Sequence, residues 1–268
     1  MHVEVHDGSG PYLLLVHGLC SSRAQWRPNL AGLQAFCTPV VIEVLGHGRS
    51  ESPDDPAAYT VEAYIERFES LRERLGAERW AICGQSFGAG LTMRYALERP
   101  DAVFAQVFTN SNSALSPGDP PVSEEIRLQR LAGFEEMGRA ALERLAFYPK
   151  PNGRLPADVE RELMADAELI SLKGVANGLR YTSPGLCVTP RLSEITVPTL
   201  LVNGRGEKRF QPLRDHAAKA IPGIEIVDLD GGHPVNLDAP EAFNAAVGRF
   251  LTAQHSDGAG LDVHRRLC

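Results

Sequence analysis

The sequence predicts an α/β fold: a doubly wound, mostly parallel sheet with an inserted helical cap. Three observations predict it. Short runs that are apolar on both faces recur along the chain. Amphipathic helical stretches alternate with them. One block, from about residue 113 to 190, shows helical patterning and no strand.

Each strand follows from a short apolar run bounded by turn residues. Tyr12-Leu13-Leu14-Leu15-Val16 lies between Gly10-Pro11 and Gly18 and is too short for a helix. The runs at 39–44, 80–83, 103–108, 198–202 and 224–227 read the same way. Thr60 is placed to cap a helix in which Val61, Tyr64, Ile65, Phe68, Leu71 and Leu75 recur at helical spacing until Gly76. A second helix is expected from just after Ser86 to about Glu98, ahead of Pro100. A last one covers about 240–251, with Phe243, Val247 and Phe250 on one face.

Within the helical block, Ser116-Pro117-Gly118-Asp119-Pro120-Pro121 reads as a linker. Helical segments at about 123–147 and 158–180 are split by Tyr148-Pro149-Lys150-Pro151-Asn152-Gly153. The expected organisation is a core of 1–112 and 191–253, a cap of 113–190, and a polar, loose tail of 254–268.

Composition narrows the function. The net charge of −7 argues against a nucleic-acid partner, which would select a basic stripe. No apolar run approaches the ~18 residues of a membrane span. The start, Met1-His2-Val3-Glu4-Val5-His6-Asp7, has no positive segment leading into an apolar one, so no secretory signal is expected. Cys20, Cys37, Cys83, Cys187 and Cys268 form no CxxC and no Cys/His cluster. That pattern implies reduced thiols in a cytoplasmic protein, with no metal site and no cofactor.

The chemistry-bearing run is Gly84-Gln85-Ser86-Phe87-Gly88. It sits where a strand turns sharply into a helix, with small residues that let the backbone fold tightly. Such a turn projects the Ser86 hydroxyl above the sheet edge, beside the N–H groups of a helix start. A hydroxyl is a weak nucleophile and needs a base. His233, in Asp230-Gly231-Gly232-His233-Pro234, falls after the last strand, on the same sheet edge.

An imidazole in that role needs a carboxylate, expected between Ser and His in the chain. Glu207 directly follows the run 198–202 and is the best candidate, with Asp228 and Asp230 as alternatives close to His233 in sequence. The oxyanion donors are expected to be the backbone N–H groups of Phe87 and of Leu19, in His17-Gly18-Leu19-Cys20. His17 and His47 are expected to shape loops. Cys20 and Cys83 are expected to act as small packing residues. Trp26 suits either the pocket mouth or helix packing.

Four motifs in order resemble the α/β-hydrolase superfamily: His17-Gly18 after a strand, Gly46-His47-Gly48-Arg49-Ser50, Gly84-Gln85-Ser86-Phe87-Gly88, and Gly232-His233. The resemblance spans about residues 11–252 and implies the serine hydrolase branch with a helical cap. Two positions depart from the pattern. Glu207 stands where the family usually carries Asp, and Glu43 where it often does. Ser at position 86 excludes haloalkane dehalogenases, which place Asp there. The arrangement resembles esterases, carbon–carbon bond hydrolases and the menaquinone-pathway synthase group.

The expected activity is hydrolysis of a small-molecule carboxylic ester or thioester through an acyl-enzyme, with Ser86, His233 and Glu207 as its triad. The alternative is carbon–carbon cleavage or elimination with the same residues, in which a cap arginine near Ser86 would clamp a substrate carboxylate. A ligand receptor on this fold would keep the pocket without turnover, and the complete Ser/acid/His set argues against it. The cap's apolar series, Leu163, Met164, Leu169, Ile170, Leu172, Val175 and Leu179, suits core packing or a substrate wall.

Overall fold

The computed structural model describes residues 1–116, 124–145, 147–151, 153 and 155–265; the side chains at 124, 126, 127, 130 and 256–265 lie outside that description. Most of the expected linker at 116–121, and Asn152, also lie outside it.

The expected strands form, with ends shifted by one or two residues. They are β2 (Tyr12–Val16), β3 (Thr38–Glu43), β4 (Trp80–Gly84), β5 (Val103–Thr109), β6 (Thr199–Gly204) and β7 (Glu225–Leu229). The structure adds β1 (His2–Val5), a half-exposed edge strand of four residues whose sequence carries little apolar signal. Among the described residues the sheet has seven strands in the order β1-β3-β2-β4-β5-β6-β7. β1 runs antiparallel to β3, and every other pairing is parallel.

Helices cover both faces. They are α1 (Arg27–Leu33), α2 (Val61–Arg74), α3 (Phe87–Glu98), α4 (Asn112–Leu115), α5 (Glu124–Met137), α6 (Arg139–Arg144), α7 (Ala157–Glu168), α8 (Leu172–Asn177), α9 (Gln211–Ala220), α10 (Val235–Asp238) and α11 (Pro240–Arg265). The period of two in β2 divides its side chains between two cores. Leu14 and Val16 pack with Tyr64, Phe68, Trp80 and Tyr95, whereas Leu13 and Leu15 pack with Trp26, Phe243, Val247 and Phe250. Thr60 caps α2 as expected, its side chain accepting the Ala63 N–H at 3.2 Å.

One open alternative resolves, and one expectation needs correction. Trp26 is fully buried and its ring lies 6.2 Å from that of Phe243, so it serves helix packing and not the pocket mouth. The final helix does not stop near 251: α11 continues through most of the stretch read as a loose tail. No proline interrupts it, and the His255 ring meets Phe104 at 5.7 Å.

Between 113 and 190 the described residues are helices and turns with no strand. This helical segment is tied to the rest of the chain through a buried carboxylate. Asp166 of α7, 1% exposed, accepts hydrogen bonds from Arg49 Nη1 at 2.9 Å and Ser22 Oγ at 2.8 Å. Glu162, one turn earlier, pairs with Arg23 at 2.6 Å. Among the described residues no helix is long and apolar enough to cross a membrane.

β2 pairs with β3 on one side and β4 on the other, so the chain winds outward in both directions from it. In doubly wound sheets the crevice above the carboxyl ends of the strands, at this switch point, holds ligands. The loops that follow β2, β4, β5, β6 and β7 converge there.

Candidate active site

Ser86 follows β4 and begins the turn into α3, with φ 52° and ψ −112°. Positive φ is disfavoured for a side chain with a Cβ and costs roughly 1–3 kcal/mol unless the surroundings enforce it. Here they do. Gln85 N–H donates to Val16 O at 3.0 Å, and Ser111 Oγ donates to Ser86 O at 2.7 Å. Glycine at 88 permits the turn, because a Cβ there would lie 2.6 Å from His17 O. Glycine at 18 leaves room for the Gln85 side chain, because a Cβ there would run into Gln85 Oε1.

His233 lies after β7, and its Nδ1 meets Glu207 Oε2 at 2.9 Å. With Glu207 ionised, this nitrogen carries the proton and Nε2 is left for the cavity. The backbone carbonyl of His233 also accepts from Gln85 Nε2 at 3.3 Å, which ties its loop to the Ser86 turn.

Of the three candidate acids, only Glu207 reaches His233 among the described residues. Asp228 is bound by Asn203 Nδ2 at 2.7 Å and Arg214 Nη2 at 2.9 Å. Asp230 pairs with Arg205 at 2.5 Å on the surface.

Two residues that the sequence reading did not single out hold Glu207. Asn110 Nδ2 donates to its Oε2 at 2.9 Å, and Asn112 Nδ2 to its Oε1 at 3.0 Å. Asn110 is itself fixed to β6, giving Nδ2–H to Gly204 O at 3.0 Å and accepting Gly204 N–H at 2.9 Å. Partial burial disfavours the Glu207 charge, but the hydrogen bonds from His233, Asn110 and Asn112 and the nearby imidazole outweigh it. The carboxyl is held below its ordinary value. The available signal was Asn110-Ser111-Asn112 itself, a polar triplet at the carboxyl end of β5.

The loop after β2 has its N–H groups assigned one by one. Gly18 N–H donates to Gln25 Oε1 at 3.2 Å and Cys20 N–H to His47 Nε2 at 3.0 Å. On the other side, Gly88 N–H goes to Gln85 O at 2.8 Å. Among the described residues no acceptor takes the N–H of Leu19 or of Phe87.

His17 and His47 shape this loop, as expected. Each is buried and uses both ring nitrogens. His17 gives Nδ1–H to Gly18 O at 2.7 Å and accepts Val44 N–H at Nε2, at 3.1 Å. His47 gives Nδ1–H to Leu45 O at 3.0 Å. Burial, reinforced by His47, lowers His17 from 6.5 to about 3. Burial lowers His47 from 6.5 to about 4.

Both groups bind protons more readily when unfolded, so stability is full above pH ~6.5 and is lost as pH falls towards the folded values. At about 1.4 kcal/mol per unit, the pair is expected to cost on the order of 5 kcal/mol by pH 4.5. Urea unfolding at pH 7.5 and 4.5 measures this. An unchanged midpoint would contradict the two neutral, doubly bonded imidazoles.

Ser86, Glu207, His233 and Leu19 line one cavity of about 610 Å³ together with Tyr148, Lys150, Leu163 and Met164 of the cap. The cap's apolar series therefore divides. Leu163 and Met164 face the cavity, while Ile170 and Val175 pack with Cys20, Leu142 and Tyr148. Cys20 and Cys83 are fully buried, and burial raises both thiols, Cys20 to about 12. No arginine lines the cavity among the described residues, and no group of three or more His, Cys, Asp or Glu side chains is placed to hold a metal.

The chain matches the model of the Alpha/beta hydrolase family over residues 13–246. It is 27% identical to the carboxylesterase YbfK of Bacillus subtilis (strain 168), over 90% of this chain and 80% of that protein. The enol-lactonase of Burkholderia xenovorans LB400 superposes with a TM-score of 0.75 at 25% identity, over 94% and 96% of the two chains. MenH from S. aureus superposes with a TM-score of 0.77 at 18% identity, over 95% and 99%. The chain belongs to the alpha/beta hydrolase family.

Proposed function

We propose that the protein is a serine hydrolase that cleaves a small carboxylic ester or thioester through an acyl-enzyme. One observation carries the reading: Glu207 meets His233 Nδ1 at 2.9 Å in the cavity that Ser86 lines from a positive-φ turn. Ser86 Oγ attacks the acyl carbon while His233 Nε2 takes its proton. The new oxyanion receives the N–H groups of Leu19 and Phe87, which no other acceptor takes among the described residues. His233 then gives its proton to the leaving alkoxide or thiolate. Water attacks the acyl-enzyme, loses a proton to His233, and the acid departs as Ser86 regains its hydrogen.

The proposed cap, 113–190, supplies apolar wall over this machinery, and the core, 1–112 and 191–253, supplies the chemistry. Two of the similar proteins bear names that denote ester or lactone chemistry.

A p-nitrophenyl ester series from acetate to decanoate tests the proposal. Expected is saturable release of the free acid, with an optimum at short or medium chain length set by the ~610 Å³ cavity. Absence of acid from every ester and thioester would overturn it.

A further inference from the structure

The oxyanion loop and the loop of His233 are joined beneath the cavity by a chain of buried carboxamides. Gln25 lines the cavity yet is only 2% exposed. Its Oε1 accepts Gly18 N–H at 3.2 Å, and its Nε2 donates to Asn236 Oδ1 at 3.4 Å. Asn236, three residues beyond His233 on α10, returns Nδ2–H to Gln25 O at 3.1 Å and to Asn29 Oδ1 at 3.1 Å. Asn29 Nδ2 closes the chain on Asn236 O at 3.0 Å and on Asn244 Oδ1 of α11 at 3.1 Å. Asn29 and Asn236 are fully buried.

Four neutral amides in the interior satisfy one another, so the network is stiff and indifferent to pH. An apolar filling would pack as well, which leaves its geometry as the property to explain. The loop backbone supplies that explanation. Gln25 takes the N–H before Leu19 and His47 takes the N–H after it, at Cys20, whose φ of 57° reverses the chain. With both neighbours turned away, the Leu19 N–H keeps one direction. Asn236 fixes the segment that carries His233 relative to the same side chain.

We propose that Gln25, seated on Asn236, is a positioning residue: it aims the Leu19 N–H at the developing oxyanion and holds that donor in register with His233. This rests on the serine hydrolase reading above. An oxyanion donor acts only within a few tenths of an ångström of its place, and a displacement near 1 Å costs up to ~100-fold in rate.

The test compares wild type, Gln25→Met and Asn244→Ala for melting temperature, kcat, KM, fluorophosphonate labelling of Ser86, and inhibition by a trifluoromethyl ketone that forms a tetrahedral adduct. Gln25→Met is expected to lower kcat about 10–100-fold with KM within threefold. The ketone should weaken by the same factor as kcat/KM, and Ser86 should still be labelled. Asn244→Ala cuts the network at its far end and should lower the melting temperature without that loss of ketone affinity.

Should Gln25→Met not fold, Gln25→Asn keeps a buried amide one methylene short of Gly18 and serves in its place. Full kcat and ketone affinity in the folded Gln25 variant, or equal losses in Asn244→Ala, would overturn the positioning role. A wild type that neither turns over esters nor labels at Ser86 would instead overturn the hydrolase reading, and the proposal with it.

Discussion

Ser86→Ala is expected to lower kcat on any ester substrate by about 10⁴–10⁶-fold while leaving the fold intact. On the proposed mechanism the loss is large because His233 and the two oxyanion donors act through the Ser86 oxygen. His233 has no proton to take without it, and the Leu19 and Phe87 N–H groups have no tetrahedral oxyanion to stabilise. What survives is binding and polarisation of the substrate carbonyl, which supports only slow attack by water. Stability should change little. The hydroxyl is absent from the contacts that enforce the turn, which run through the Ser86 carbonyl, Gln85 N–H and the tight approach at Gly88. Urea unfolding of the variant alongside steady-state kinetics checks both halves of this expectation.

Glu207→Gln is expected to cost about 10³–10⁴-fold in kcat with a small change in KM. The wild-type carboxylate meets three N–H donors, from His233, Asn110 and Asn112, and an acceptor-only group suits all three. A carboxamide has one oxygen to offer. Its amino group must face either Asn112 or the side shared by Asn110 and His233, and in both cases donor meets donor. In the second orientation the imidazole loses the partner that fixes its tautomer, and in both the imidazolium formed during attack loses its counter-charge. Asp230→Asn is the matched control. That residue pairs with Arg205 at the surface, away from the imidazole, and its loss should change kcat less than about threefold. A reversal of the two results would move the acid from Glu207 to Asp230.

The sequence was most readable where one residue type answers one physical demand. Apolar runs too short for helices located six strands, because a parallel sheet covered on both faces needs apolar side chains on both. Thr60 and Gly76 bounded α2 through capping chemistry that a single residue supplies. Ser86, Glu207 and His233 line one cavity because each follows a strand, and parallel strands bring their following loops to one edge.

Less was legible where partners are distant in sequence. The amides of Asn110 and Asn112 reach Glu207 across more than ninety positions, and Asn236 reaches Gln25 across more than two hundred. The two ties of Asp166 to the core span 117 and 144 positions. Polar side chains of this kind look in sequence like ordinary surface residues until the fold buries them. β1 escaped for the opposite reason: a half-exposed edge strand needs no apolar run to form. The long α11 escaped because its last turns extend past the apolar face that marked its start.

The proposed function requires acylation at Ser86 Oγ. Intact-protein mass spectrometry after a fluorophosphonate, followed by peptide mapping, tests this most directly. One adduct per chain is expected, located on Ser86, competed by ester substrate and absent from Ser86→Ala. An adduct on any other residue, or an unlabelled wild type that still hydrolyses esters, would contradict it.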